Sequence, residues 1–268
     1  MDPKRVRART ALLVPLLLLL TGCSREDIPN FGWPHAITPQ GQRALDLWKG
    51  SSVAGLVVMI AVYGLMFWAA WAYRKRDDVV PAQVGYNLPV EVLYTVIPTI
   101  IVAFLFYFTA RDESYIDKLD AKPDCTVNIV GFQWAWQYNY TDCGTATGLS
   151  IIGRPGRTAA EGGELSHLIL PEGKVIRFVE TSPDVIHSWW VPDLLFKRDV
   201  VPGRQNTFQV DSIKAGTYKG RCAELCGEFH SRMLFTLTVA PQSEFDAMIA
   251  AAKADTTSGR YTVNGSNQ

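Results

Sequence analysis

The stretch Cys222-Ala-Glu-Leu-Cys226-Gly-Glu-Phe-His230-Ser-Arg-Met233 places two thiols, an imidazole and a thioether within twelve residues. A second imidazole, His187, lies upstream in Asp184-Val-Ile-His-Ser-Trp-Trp-Val-Pro192. Thiolate and thioether are soft ligands that favour copper, and imidazole suits it as well. A single-copper electron-transfer site takes two His, one Cys and a weak axial Met. Here two cysteines share one short loop. Two thiolates can bridge two metals and leave one imidazole for each. An electron shared over both metals halves the charge change at each, so little solvent or ligand motion accompanies transfer. Zinc is the first alternative, since two Cys and two His can close a tetrahedron. Zinc gains little from Met233, however, and Cys-x3-Cys-x3-His is not the usual finger spacing. A Cys222–Cys226 disulfide is the second, and it would leave His230 and Met233 idle. A c-type haem is excluded locally, because no Cys-x-x-Cys-His occurs.

Around this stretch the pattern is that of short strands. Lys174-Val-Ile-Arg-Phe-Val-Glu180 has β-branched residues and mixed alternation, while Asn206-Thr-Phe-Gln-Val210 and Leu234-Phe-Thr-Leu-Thr-Val239 alternate more cleanly. Turn signals separate them at Pro171-Glu-Gly173, Pro202-Gly203 and Ala215-Gly216. Regular punctuation of this kind predicts an all-β sandwich or barrel. A segment of roughly 130 residues can hold one such core. Ser243 to Ala254 has helical spacing, and the tail 256–268 reads as disordered.

The N-terminal half is built for a membrane. Lys4, Arg5, Arg7 and Arg9 precede an apolar run from Ala11 to Leu20, too short for a span. The run ends in Leu20-Thr21-Gly22-Cys23, which resembles a lipobox. Residues 1–22 then read as a signal peptide and Cys23 as the lipidated start of an outer segment, 23–50. One lipid chain anchors weakly, so the main anchor is expected elsewhere. Ser51 to Tyr73 and Val92 to Ala110 contain no charged residue, and each is near the ~20 residues a spanning helix needs. Trp68, Trp71 and Tyr73 sit at one end, followed at once by Arg74-Lys75-Arg76. The excess of positive charge assigns that loop to the cytoplasm. The hairpin, 51–110, thus places everything after about Arg111 outside, with the β-domain at 111–255. Pro98 falls inside the second span, where proline is better tolerated than in soluble helices.

The formal net charge is +0, from 26 basic and 26 acidic residues, and argues against a nucleic-acid binder. Cys125 and Cys143 match no metal motif and, outside the membrane, read as a disulfide. His35 and His167 lack ligand-like neighbours and read as ordinary surface or loop histidines.

These separated motifs together resemble subunit II of cytochrome c oxidase, from the first span to about Ala240. The resemblance implies a two-helix transmembrane hairpin plus a cupredoxin-like Greek-key sandwich carrying a dinuclear copper centre. It implies His187 and Met233 as ligands to one copper, His230 and the Glu224 carbonyl to the other, and Cys222 and Cys226 as bridges. The Glu224 side chain matches the residue that reaches a magnesium shared with subunit I. In Gly131-Phe-Gln-Trp-Ala-Trp-Gln-Tyr138, Trp134 falls where the family receives electrons from cytochrome c, whereas Trp136 and Tyr138 read as core. Phe132 and Ala135 depart from the common family form. Asp184 and Asp142 match acidic docking positions, but Asn139 stands where an acid is often found, so a tethered donor would fit as well as a free one. Glu91 matches a glutamate at the mouth of a proton path, against the plainer reading of an interface residue. The implied activity is that of subunit II of an aa3-type haem–copper oxidase in a bacterial cell membrane, with the copper domain on the extracytoplasmic face. Electrons would pass from a c-type cytochrome to subunit I, where oxygen is reduced and protons are moved. Nitrous oxide reductase would need a second copper domain for which the chain has no room. A copper-delivery lipoprotein would not need Glu224 or a spanning hairpin, and quinol-oxidase subunits lack the copper ligands.

Overall fold

The computed structural model describes residues 28–76, 80, 83–120, 122–154, 165–255 and 261–263. The signal segment 1–22 and the lipidation site Cys23 lie outside them. The chain divides into two compact units, 1–35 and 36–268. The described part of the first is a short turn at Ile28–Asn30 and the strand-free residues after it, where the Asn30 amide meets His35 Nδ1 at 3.3 Å.

The second unit opens with two long helices, α1 (Pro39–Ala72) and α2 (Leu88–Ile116). Thr38 caps α1 by accepting from the Gly41 N–H at 3.0 Å, and Pro39 follows at the first helical position. Asn87 caps α2 in the same way through Val90. Both helices are long and apolar enough to cross a membrane. Their apolar side chains face outward along the spans, with Phe67 and Phe106 each 72% exposed, as lipid or neighbouring subunits require. Both helices also overrun the expected hairpin at the outer side. A charge-free run marks where hydrocarbon is crossed, but backbone hydrogen bonding continues through the headgroup layer. Part of the charge on the overrun is paired: Asp112, almost fully buried, sits between Arg111 at 2.8 Å and Arg43 at 3.2 Å. Arg43 also lies over the Tyr115 ring at 4.0 Å, which locks the two outer helix ends together.

The remaining chain is a two-sheet sandwich, as expected. One sheet has strand order β11-β3-β2-β1-β5-β8. Its strands are β1 (Cys125–Phe132), β2 (Ala135–Asp142), β3 (Leu149–Ile152), β5 (Val175–Thr181), β8 (Asn206–Asp211) and β11 (Tyr261–Val263). The other has the order β4-β10-β9-β6-β7. It comprises β4 (Ser166–Pro171), β6 (His187–Val191), β7 (Phe196–Val200), β9 (Gly216–Cys222) and β10 (Leu234–Ala240). Parallel pairs β1–β5 and β4–β10 interrupt otherwise antiparallel sheets. Inward positions alternate with outward ones along β1 and β5, and the core between the sheets is aromatic: Trp136, Tyr138, Phe178, Trp189, Phe208 and Phe235. Helix α3 (Gln242–Ala254) packs Phe245 and Ile249 into that core. The C-terminal tail departs from expectation. Tyr261–Val263 add an edge strand to β3 through backbone bonds, and although Tyr, Thr and Val favour strands, three residues are too few to give an alternating signal. Cys125 and Cys143 are joined by a disulfide that ties the start of β1 to the turn after β2. His167 is not free, as its Nε2 meets Thr238 Oγ1 at 2.8 Å.

The sandwich is seated on the outer end of α1. The Gln40 amide donates to Asp211 at 2.8 Å and its carbonyl accepts the Asp211 N–H at 3.2 Å. A Cβ at Gly41 would stand 2.7 Å from the Leu194 carbonyl oxygen, so only glycine permits this approach.

Candidate metal centre

Strand pairing assembles the donor cluster. β6 lies beside β9 with Trp189 opposite Cys222, so His187 at the start of β6 reaches the end of β9. The Ala223 N–H bonds the Ser188 carbonyl and the Cys222 N–H bonds the Met233 carbonyl, each at 3.0 Å. These two bonds fold the segment 222–233 back on itself. Gly131 on β1 leaves room beneath the imidazole, since a Cβ there would come within 3.2 Å of the His187 side chain. Gly227 turns the loop with φ +122°, a conformation open to glycine, under the Trp134 ring.

Within this frame the thiols of Cys222 and Cys226 lie 3.8 Å apart and unbonded. His187 Nδ1 is 3.9 Å from Cys222 Sγ, and His230 Nδ1 is 3.5 Å from Cys226 Sγ. Met233 Sδ is 3.8 Å from Cys226 Sγ, and the Glu224 carbonyl oxygen is 3.3 Å from Cys222 Sγ. His187, Cys222, Cys226 and Met233 are buried, whereas His230 is half-buried. The Glu224 side chain is exposed while its carbonyl faces the thiol. Every donor named from the sequence around residue 222 therefore converges, together with His187.

The electrostatics of the thiols are asymmetric. Burial raises Cys222, but hydrogen bonds with His187 and with backbone groups at Ser188 and Glu224 outweigh it and bring its pKa to about 7. Burial and the neighbouring Cys222 charge push Cys226 up to about 12. Burial pushes His187 down, but Cys222 and Asp184 hold it above its ordinary value. The cluster thus keeps one thiolate readily, and a second negative charge waits on a cation between the sulfurs.

Asp184 does more than the sequence indicated. Its Oδ1 lies 2.9 Å from His187 Nε2, and it accepts the N–H groups of Gln133 at 2.7 Å and Val185 at 2.6 Å. This carboxylate fixes the imidazole with Nδ1 toward the thiols. The spacing Asp184-x-x-His187 is the signal of this contact in the sequence. The Cys226 carbonyl accepts from Trp134 Nε1 at 3.1 Å and from the Gln133 amide at 2.8 Å. Trp134 is partly exposed and meets Phe229 edge-on at 5.0 Å. Trp136 and Tyr138, in contrast, are fully buried. Glu91 lies at the opposite end of α2, where its Oε1 accepts the Asn87 N–H at 3.2 Å.

Comparison with known proteins matches two family models. Residues 125–240 match the periplasmic domain of cytochrome c oxidase subunit II, and residues 29–110 match its transmembrane domain. The chain is 46% identical to a probable cytochrome c oxidase subunit 2 of Streptomyces avermitilis, over 89% of this chain and 83% of that one. It is 35% identical to cytochrome c oxidase subunit 2 of Mycobacterium bovis, over 91% of this chain and 81% of that one. A crystal structure of the periplasmic domain of cytochrome oxidase subunit II from Bradyrhizobium japonicum is 29% identical. It covers 50% of this chain and 96% of that one, with a TM-score of 0.43. With two membrane-crossing helices, an extracytoplasmic cupredoxin-like sandwich and a His–Cys–Cys cluster compatible with copper, the chain belongs to the cytochrome c oxidase subunit II family, a component of haem–copper oxidases.

Proposed function

We propose that this chain is the electron-entry subunit of an aa3-type oxidase, receiving single electrons from a c-type cytochrome at a dinuclear copper centre for delivery to haem in subunit I. The observation that carries this is the convergence of two thiols, two imidazoles, a thioether and a backbone carbonyl where the start of β6 meets the loop 222–233. The donor set fits copper better than zinc, because Met233 Sδ is placed with the thiols. Bound there, a copper pair supplies a one-electron couple shared between two metals. Cys222 and Cys226 would bridge, His187 and Met233 would hold one metal, and His230 and the Glu224 carbonyl the other. Because burial and the neighbouring Cys222 charge push the Cys226 thiol up, metal loading is expected to release a proton from it. The test is the electron paramagnetic resonance spectrum of the copper-loaded chain. A mixed-valence signal split equally by two coppers is expected; a single-copper signal, or zinc alone, would overturn the reading.

Asp184 is the proposed positioning residue for His187. Asp184→Asn keeps the shape but loses the negative acceptor, and copper affinity is expected to fall about 10–100-fold in competition with a chelator. The exposed Glu224 side chain is the proposed magnesium ligand shared with subunit I.

Trp134 is the proposed point of electron entry, supported by its partly exposed ring and its bond to the Cys226 carbonyl. The acidic docking face is weak, since Asn139 is neutral and Asp184 is engaged with His187. A donor tethered within a supercomplex suits such a face. Stopped-flow reduction by a free c-type cytochrome tests both points. Trp134→Ala is expected to slow reduction at every salt concentration without changing copper content. Added salt is expected to change the wild-type rate little, and a steep loss with salt would sink the tethered donor.

Glu91 is the proposed entrance of a proton path, although its bond to Asn87 also suits a helix-capping role. Glu91→Ala is expected to lower steady-state proton-coupled turnover of the assembled oxidase, and an unchanged rate would leave capping as its role. Lipidation at Cys23 and a bacterial cell-membrane location complete the reading, with the spans flanked by Arg74-Lys75-Arg76 on the inner side.

A further inference from the structure

The sandwich contains a carboxyl that the copper chemistry does not use. Glu180, near the end of β5, is fully buried between the sheets, and neither side-chain oxygen has a hydrogen-bond partner among the described residues. Its inward position follows from the strand: Ile176, Phe178 and Glu180 alternate onto the core face. Its neighbours in register are Ile129 on β1 and Asn206 on β8, neither charged. The charges that act on it come from β7, where Arg198 favours its ionised form and Asp199 opposes it. Burial outweighs both and holds its carboxyl well above the usual carboxylate range.

Arg198 connects this interior to the membrane edge. Its Nε is also buried and without a partner among the described residues, while its Nη2 bonds Asp117 Oδ1 at 2.5 Å. Asp117 caps the C-terminal end of α2 and its side chain is 48% exposed. Glu180 and Arg198 thus carry three buried, unpartnered polar atoms between them, Arg198 acts electrostatically on Glu180, and the same guanidinium meets an exposed carboxylate through Nη2. Orphaned buried polar atoms are rare, and a bridging water is the usual way in which they are satisfied.

We propose that Glu180, Arg198 and Asp117 form a proton-exchange site linking the interior of the sandwich to the outer membrane surface. Glu180 carries the proton. When it leaves, the Glu180 O–H bond breaks and a bridging water held by Arg198 Nε takes the proton. That water passes a proton on to the Asp117 carboxylate, which releases it to solvent. The guanidinium itself gives up no proton, because it stays charged at all accessible pH. Its role is to offset the carboxylate left behind on Glu180. The return of a proton along the same route restores the neutral acid. The site is separate from the copper ligands and does not depend on the metal being bound.

Infrared spectroscopy of the intact oxidase, with glutamate carbonyl carbons labelled, tests this directly. A neutral carboxylic acid C=O band is expected at pH 7 in the wild type and absent in Glu180→Gln, a variant close in shape that carries no titrating proton. On transfer to heavy water the band is expected to shift promptly in the wild type, and at least tenfold more slowly in Asp117→Asn. A spectrum unchanged by Glu180→Gln would overturn the proposal, since Glu180 would then be ionised beside Arg198. A Glu180 band that exchanges equally fast with and without the Asp117 carboxylate would overturn the route, and a band that never exchanges would leave only an inert buried acid.

Discussion

Cys222→Ser and Cys226→Ser are each expected to abolish the shared two-copper signal. A serine hydroxyl is a hard, neutral donor at any accessible pH, and it cannot replace a thiolate that bridges soft metals. The two losses are expected to differ in kind. Cys222 has its pKa brought to about 7 and lies with His187 and the Glu224 carbonyl. Cys226 lies with His230 and Met233, and its thiol is pushed up to about 12. Cys226→Ser therefore leaves the more acidic thiol beside a buried, oriented imidazole, a set that can retain one copper. Cys222→Ser leaves the thiol that ionises less readily, and it is expected to retain less metal. Copper content and the resonance spectrum, measured together, separate these cases. Near-ultraviolet circular dichroism is expected to stay close to wild type, because each change replaces one sulfur by a smaller oxygen at the end of β9 or in the loop that follows it. An equal two-copper splitting surviving in either variant would show that the bridging roles are misassigned.

The reason this site could be read so far in advance is local. Five of its six donors come from twelve consecutive residues, so ligand chemistry and spacing were visible without knowing the fold. The spans were legible for a similar reason, since hydrocarbon demands a charge-free run of fixed length. The parts that were not legible depend on distant partners. Asp184 looked like one more surface acid until β6 was placed against β9 and its carboxylate was seen at His187 Nε2. Glu180 sat in an alternating strand as a polar interruption, and its burial follows only from the register of β5. The helix overruns are hidden because charged residues, Lys49 before the first charge-free run and Arg111 after the second, bound the segments that read as spans, and Arg43 and Asp112 lie beyond them. In the fold Asp112, Arg43 and Arg111 are a paired cluster that continues them. The edge strand at Tyr261–Val263 has no side-chain pattern long enough to announce it, and only backbone pairing with β3 creates it.

Gly220→Ala is expected to destabilise the sandwich by about 1–3 kcal/mol, through overpacking rather than loss of contact. Gly220 on β9 stands directly opposite Phe235 on β10. A Cβ at this position would fall 2.0 Å from Phe235 Cζ and 2.1 Å from Cε2, far inside van der Waals contact. The ring cannot simply swing aside. It is stacked on Trp189 at 5.2 Å and meets Trp136 at 5.7 Å and Tyr138 at 6.0 Å, all of them buried. Strain placed on Phe235 is therefore passed to Trp136, whose ring lies 6.0 Å from the His187 imidazole. A core glycine on β9 is in this way coupled to the geometry of the metal loop. Each kcal/mol is expected to lower the unfolding midpoint by about 2–8 °C for a domain of this size. Phe235→Leu removes the atoms that clash, at the cost of a cavity beside Trp189. The double variant Gly220→Ala/Phe235→Leu is thus expected to be more stable than the sum of the single losses predicts, by about 0.5–3 kcal/mol. Unfolding of the four proteins followed by near-ultraviolet circular dichroism gives that coupling directly. Strict additivity would mean that the backbone of β9, not the Phe235 ring, absorbs the added methyl group. The route from Gly220 to His187 would then fail as well.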